Sequence, residues 1–243
     1  TVTSEDKDGD IVTSTVTLTI ADGAPPTINT LPTIALAEAN LVDGSSPGLP
    51  VSQTETIIFT AGSDDVSHFR IDSAQFNTSG DLKADGLVVQ LKEDPLNSDN
   101  YIGYVESGGV QTDIFTITFD SSVLGRYTFI LLEELDHLPV QGNNNQIFTL
   151  PVIAVDKDDT DSAMKPLTVT ITDDVPTITD TTVASTFVVY EDDLGTLAQA
   201  TGSFVTTQGA DQVEVYELRN IATLEPTLTS SGEAISITEI SGA

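Results

Sequence analysis

Apolar residues alternate with Thr, Ser and other polar residues along most of this chain. The clearest runs are Val12-Ser14-Val16-Leu18-Ile20, Ile57-Phe59, Leu87-Val89-Leu91, Ile114-Thr116-Thr118 against Phe115-Ile117-Phe119, Tyr127-Phe129-Leu131 and Phe148-Leu150-Val152-Ala154. A period of two, rich in β-branched residues, predicts strands with one face buried and the other wet. Between them sit turn-forming clusters such as Asp43-Gly44-Ser45-Ser46-Pro47-Gly48, Asn77-Thr78-Ser79-Gly80-Asp81 and Gln141-Gly142-Asn143-Asn144-Asn145. Helical periodicity is confined to two short candidates, Leu36–Leu41 and Leu131–Asp136. Closely spaced strands without intervening helices predict an all-β chain of antiparallel β-sandwiches, Ig-like or cadherin-like.

One pattern occurs twice. Asp6-Lys7-Asp8-Gly9-Asp10 precedes the strand Val16–Ile20 and the linker Ala21-Asp22-Gly23-Ala24-Pro25-Pro26-Thr27-Ile28. Asp156-Lys157-Asp158-Asp159-Thr160-Asp161 precedes Thr168–Ile171 and Thr172-Asp173-Asp174-Val175-Pro176-Thr177-Ile178. The acidic loops start 150 positions apart, the strands align at 151, and Glu38 and Glu191 follow the two linkers at 153. A shared offset across loop, strand and linker predicts tandem repeats. Residues 1–22 then read as the closing strand of one unit, 23–173 as a complete unit, and 174–243 as the opening half of a third. The complete unit exceeds the roughly 100 residues of a minimal Ig domain, and Asn77–Gly109 is the expected elaboration. In the third unit, strands are predicted near Phe187–Tyr190, Val213–Tyr216 and Ile235–Ile237. Half a sandwich leaves unpaired edges, so residues 1–22 are a candidate complement for it, within a chain or between chains.

Charge sharpens the picture. Thirty-eight acidic against eight basic residues give a net charge of −30, which disfavours nucleic acid and anionic lipid, since both are held by Lys and Arg. Cysteine is absent, so no disulfide staples the fold. No apolar run reaches membrane-span length, so no direct membrane insertion is expected.

Calcium takes six to eight oxygen ligands in a flexible shell. An Asp-x-Asp-x-Asp loop can turn its carboxylates to one point, and Asp6, Asp8 and Asp10, with Asp22 and Glu38, make one candidate set at the first joint. Asp156, Asp158, Asp161, Asp173 and Glu191 make the second, with Asp159, Asp174 and Asp192 as alternates. Neither loop is an EF-hand, because Thr17 occupies the position where that loop places its Glu.

Other chemistry is poorly supplied. His68 and His137 are the only histidines. His137 follows Glu133, Glu134 and Asp136, yet no further His or Cys completes a transition-metal site, which favours a structural histidine bonded to the Gln141–Asn145 loop. No nucleophile elbow, phosphate loop or catalytic cysteine is present, and no enzyme activity is expected. Tyr101 and Tyr104, beside Gly103 and Gly108-Gly109, offer a possible sugar-stacking platform. A carbohydrate-binding module is therefore the second functional reading.

Phe59-Thr60-Ala61-Gly62-Ser63-Asp64, Phe69-Arg70-Ile71-Asp72, the run Leu131 to His137 with Pro139 and Gln141-Gly142-Asn143-Asn144, and the ending Pro151 to Asp156 continued by Thr170 to Pro176 resemble the large tandem repeats of type I-secreted RTX adhesins. The resemblance covers residues 23–174 and, more weakly, both flanks. It implies Ig-like extender domains of a bacterial surface protein held at the outer membrane, stiffened by calcium at the domain joints. Such an array, in contact with its neighbouring repeats, projects ligand-binding domains for cell adhesion and biofilm formation.

Overall fold

The structure, a computed structural model, describes residues 1–49, 51–139, 142–179, 205–210, 229–230 and 232–234. Among these the chain is all-β. Strands β1 (Val2–Glu5) and β2 (Ile11–Ser14) form a hairpin. There follow β3 (Thr27–Thr30), β4 (Ile34–Ala37), β5 (Ser52–Thr56), β6 (Ile58–Thr60), β7 (Val66–Ile71), β8 (Lys83–Ala84), β9 (Leu87–Val88) and β10 (Gln90–Asp94). The long strands come next: β11 (Asn97–Ser107), β12 (Val110–Phe119), β13 (Arg126–Leu131), β14 (Asn145–Asp156) and β15 (Lys165–Thr172). Beyond them lie β16 (Thr177–Thr179), β17 (Val205–Thr207), β18 (Thr229–Ser230) and β19 (Glu233–Ala234). The strands predicted near Phe187, Val213 and Ile235 fall outside the described residues.

Two sheets make the sandwich. One has the order β10-β11-β12-β13-β5, the other β4-β15-β14-β7. All pairings are antiparallel except β4 against β15, which is parallel. Alternation decides which residues meet between the sheets: Phe115, Ile117, Tyr127, Phe129 and Leu131 from the first face Leu150, Val152, Ala154, Leu167, Val169 and Ile171 from the second, all buried. Phe148 bridges the layers, its ring 5.4 Å from Phe115 and 6.4 Å from Phe129. The β11 bulge at Gly103 fits the same core, because a Cβ there would stand 2.3 Å from the Phe115 ring.

Sequence expectations hold for β12, β13 and β14; the run Leu87-Val89-Leu91 is divided at Val89 between β9 and β10, Ile57 lies just before β6, and three further readings fail. Leu131–Asp136 is not helical: β13 ends at Leu131, and Leu132 and Glu133 donate their amides to Ile114 O. Of the other helical candidate, only Glu38–Asn40 forms a single 3₁₀ turn. The strand predicted through Ile20 stops at Ser14, leaving Val16, Leu18 and Ile20 at 66, 81 and 85% exposure. Their counterparts Leu167, Val169 and Ile171 are fully buried between β4 and β14. Alternation records a preference for a sheet, and residues 15–20 have no sheet beside them.

The repeat is visible in hydrogen bonds. In the first loop Asp6 N donates to Asp10 O, Gly9 N to Asp6 O, and Asp10 N to Asp6 Oδ1. In the second, Asp156 N donates to Thr160 O, Asp159 N to Asp156 O, and Thr160 N to Asp156 Oδ1. Glu5 pairs with Ile11 as Val155 pairs with Asp161. The strand pairs that follow the two loops are alike too. β3 pairs with β6 and β16 with β17, and in each case a left-handed glycine follows, Gly62 (φ +78°) or Gly209 (φ +76°). A Cβ on either would collide with the linker carbonyl of Ala24 or Asp174, which leaves glycine as the fitting residue. No helix among the described residues is long and apolar enough to cross a membrane.

Candidate metal centres

The acidic loops are built by their first aspartate. Asp6 and Asp156 turn a carboxylate back onto amides of their own loop, accepting at Oδ1 from Asp10 N at 2.9 Å and Thr160 N at 2.7 Å. This local bonding fixes the turn before any ligand is involved. Asp6, Asp8 and Asp10 all remain exposed, with carboxylate oxygens within 4.8 Å of one another. A hydrogen bond with Asp8, then the Asp10 amide, holds the Asp6 carboxyl below its ordinary value.

The second loop meets the entry linker. Asp158, Asp22 and Asp64 bring one oxygen each within 4.8 Å of the others. Three segments converge there: the linker before β3, the loop after β6 and the loop after β14. The linker is stapled in place, since Ala24 N donates to Ser63 Oγ at 2.8 Å, Ser63 N to Ala24 O at 3.0 Å, and Thr160 Oγ1 to Asp22 Oδ2 at 3.2 Å. Sharing a hydrogen bond with Asp156, desolvation, and the charges of Asp156, Asp22 and Asp64 push the Asp158 carboxyl above its ordinary value. The shared bond in turn holds Asp156 down. Crowded carboxylates supplying only oxygen match the donor set calcium prefers, so these residues fit that ion.

At the far end of β15 the donors differ. Glu38, fully buried on its 3₁₀ turn, takes Leu135 N on Oε1 at 2.7 Å. His137 Nε2 approaches Glu38 Oε2 at 3.1 Å as an ion pair, without the alignment of a hydrogen bond. Asp173 N donates to Asn144 O at 2.8 Å, and Asn144 Nδ2 donates back to Asp173 Oδ2 at 3.0 Å. Burial depresses the His137 imidazolium, but Glu38, Asp173 and Asn144 together outweigh it and raise the group above its usual value. Next to Asp173, buried Asp174 accepts both Ser45 N at 2.7 Å and Ser45 Oγ at 2.5 Å.

The predicted ligands are thus sorted differently from the two sets read in the sequence. Asp22 joins Asp158, not Asp6, Asp8 and Asp10, and Glu38 joins Asp173. For Asp173 the reason is strand length. β15 carries the chain about 26 Å at roughly 3.3 Å per residue, so the loop at its start and the linker at its end cannot share one ion. Asp161 is committed to Arg70 at 2.6 Å, and Lys157 to Asp65 at 2.6 Å. Glu191 and the alternate Asp192 lie outside the described residues. Asp64 was missed; its signal was the recurrence of Thr60-Ala61-Gly62-Ser63-Asp64 as Thr207-Gln208-Gly209-Ala210-Asp211.

The tyrosine pair does not form a platform. Tyr101 is buried against Phe119, while Tyr104 lies on the opposite face of β11 with Lys92 4.7 Å over its ring. The chain matches no protein-family profile, no curated protein and no solved structure.

Proposed function

We propose that this chain is a calcium-stiffened spacer, an extender segment of a bacterial surface adhesin of the RTX type, with no catalytic role. Its task is mechanical: to set length and rigidity between ligand-binding domains outside the cell. The observation that carries this reading is the meeting of the entry linker with two loops of the sandwich at Asp22, Asp64 and Asp158. A cation there ties the linker to the body of the unit. Without it the carboxylates repel, at about 1 kcal/mol or more per pair near a surface.

Several features support the tandem arrangement. The Asp6 and Asp156 loops share their bonding, β16–β17 echoes β3–β6, and Val16, Leu18 and Ile20 expose the positions that are buried in β15. These fit residues 1–22 as the closing strand of one unit, 23–173 as a full Ig-like unit and 174–243 as the opening half of another. The parallel pairing of the entry strand β4 with the last strand β15 suits that fold.

Small-angle scattering with and without about 5 mM calcium tests the proposal, at the millimolar level where extracellular calcium modules fill. The expected result is a more extended, narrower ensemble with calcium, lost in Asp158→Asn. Identical profiles in calcium and chelator, with no heat on calcium titration, would refute it.

A further inference from the structure

We propose that Glu38, His137 and Asp173 form a site for one borderline divalent cation of the zinc class, separate from the all-carboxylate cluster at the opposite end of β15.

Three stretches supply the donors: the 3₁₀ turn after β4, the turn after β13 and the first residue beyond β15. Each offers a ligand atom within 4.8 Å of the other two. Two of the side chains are more than nine-tenths buried, Glu38 at 0% and His137 at 5% exposure. Glu38 Oε2 and both ring nitrogens of His137 have no hydrogen-bond partner. Buried polar atoms are almost always satisfied; here Glu38 Oε2 and His137 Nε2 have only each other, as a misaligned ion pair, and His137 Nδ1 has no partner, which marks room for a ligand between them. The Nε2 to Oε2 separation of 3.1 Å is close to the roughly 3.3 Å between two ligands about 2.0 Å from a tetrahedral ion.

Donor chemistry selects the ion. Calcium takes oxygen ligands, whereas an imidazole nitrogen with two carboxylates suits zinc, with water in the fourth position. The carboxylates are already oriented from outside, Glu38 by Leu135 N and Asp173 by Asn144 Nδ2, as ligands of a metal usually are. The site also draws positive charge. Two carboxylates, Glu38 and Asp173, face the one imidazole, and a divalent ion would balance their charge while any imidazolium proton leaves to solvent.

The test uses the full chain in about 5 mM calcium, so that oxygen-only sites are filled first. Zinc is titrated by calorimetry and followed in long-range proton–nitrogen spectra of the imidazoles. The chain has two histidines, and exposed His68 serves as the internal reference. The proposal expects one zinc bound, a displaced His137 ring nitrogen with His68 unmoved, and affinity at least about tenfold weaker in Glu38→Gln and His137→Gln. A His137 ring that ignores zinc would leave a bare Glu38–His137 ion pair and overturn the site. Equal zinc affinity in wild type and Glu38→Gln would do the same. If His137→Gln fails to fold, the wild-type spectra decide. The calcium response through Asp158 is read separately, so either assignment can fail without the other.

Discussion

Asp120 shows how much one side chain can organise here. Its carboxylate takes Ser122 Oγ and Ser122 N on one oxygen and the Arg126 guanidinium on the other, closing the turn between β12 and β13. The bonds from Ser122 and Arg126 hold it well below the usual carboxylate range. A folded-state value below the unfolded one means the stabilisation is complete above the unfolded value, near 4, and is lost as pH falls through the folded one. Following the Asp120 carboxyl by NMR should show it still ionised at pH 3, and Asp120→Asn should remove that acid-range dependence and lower stability at pH 7. Single residues were also where the sequence was least informative about the sites. Asp22 and Asp158 were readable as acidic positions in repeated motifs, but that they share a cluster with Asp64 depends on how the chain returns, which spacing along a strand does not encode.

Elements were more legible. Phe115-Ile117-Phe119 and Tyr127-Phe129-Leu131 alternate because each faces a second sheet, and the structure buries all six. The unpaired Val16-Leu18-Ile20 and the lost helix at Leu131–Asp136 show the limit: pattern predicts what a segment can bury, and a partner must be present for it to do so. In the second case Leu135 is buried beside Glu38, which takes its amide, so a tertiary contact and not a helix holds this stretch. Gly103 gives a test at this scale. Fully buried Phe115 fills the space of its missing Cβ, so Gly103→Ala should cost about 1–3 kcal/mol through overpacking. Urea unfolding of this variant should show a lower midpoint with an unchanged slope, whereas Gly109→Ala in the open turn before β12 strains only its own left-handed backbone.

For the whole molecule, a charge of −30 means that self-repulsion opposes the compact state, which the proposed calcium sites would relieve. With a dissociation constant of about 10⁻⁴ to 10⁻³ M, about 5 mM calcium should stabilise the fold by about 1–2 kcal/mol per site. Urea midpoints in calcium and in sodium chloride of equal ionic strength separate site binding from general screening. A larger gain in calcium, reduced in Asp158→Asn, is the expected outcome; equal gains would assign the effect to screening alone.

The parallel pair β4 and β15 has a consequence under tension. The first enters the sandwich and the last leaves it, side by side and pointing the same way, with Val169 to Thr172 opposite Ile34 to Ala37. Pulling the two ends of the unit apart slides one strand along the other. Every hydrogen bond between them then carries load at once, where an antiparallel hairpin pulled from its open end would unzip one bond at a time. The seam that closes the fold is thus also its fastening against force.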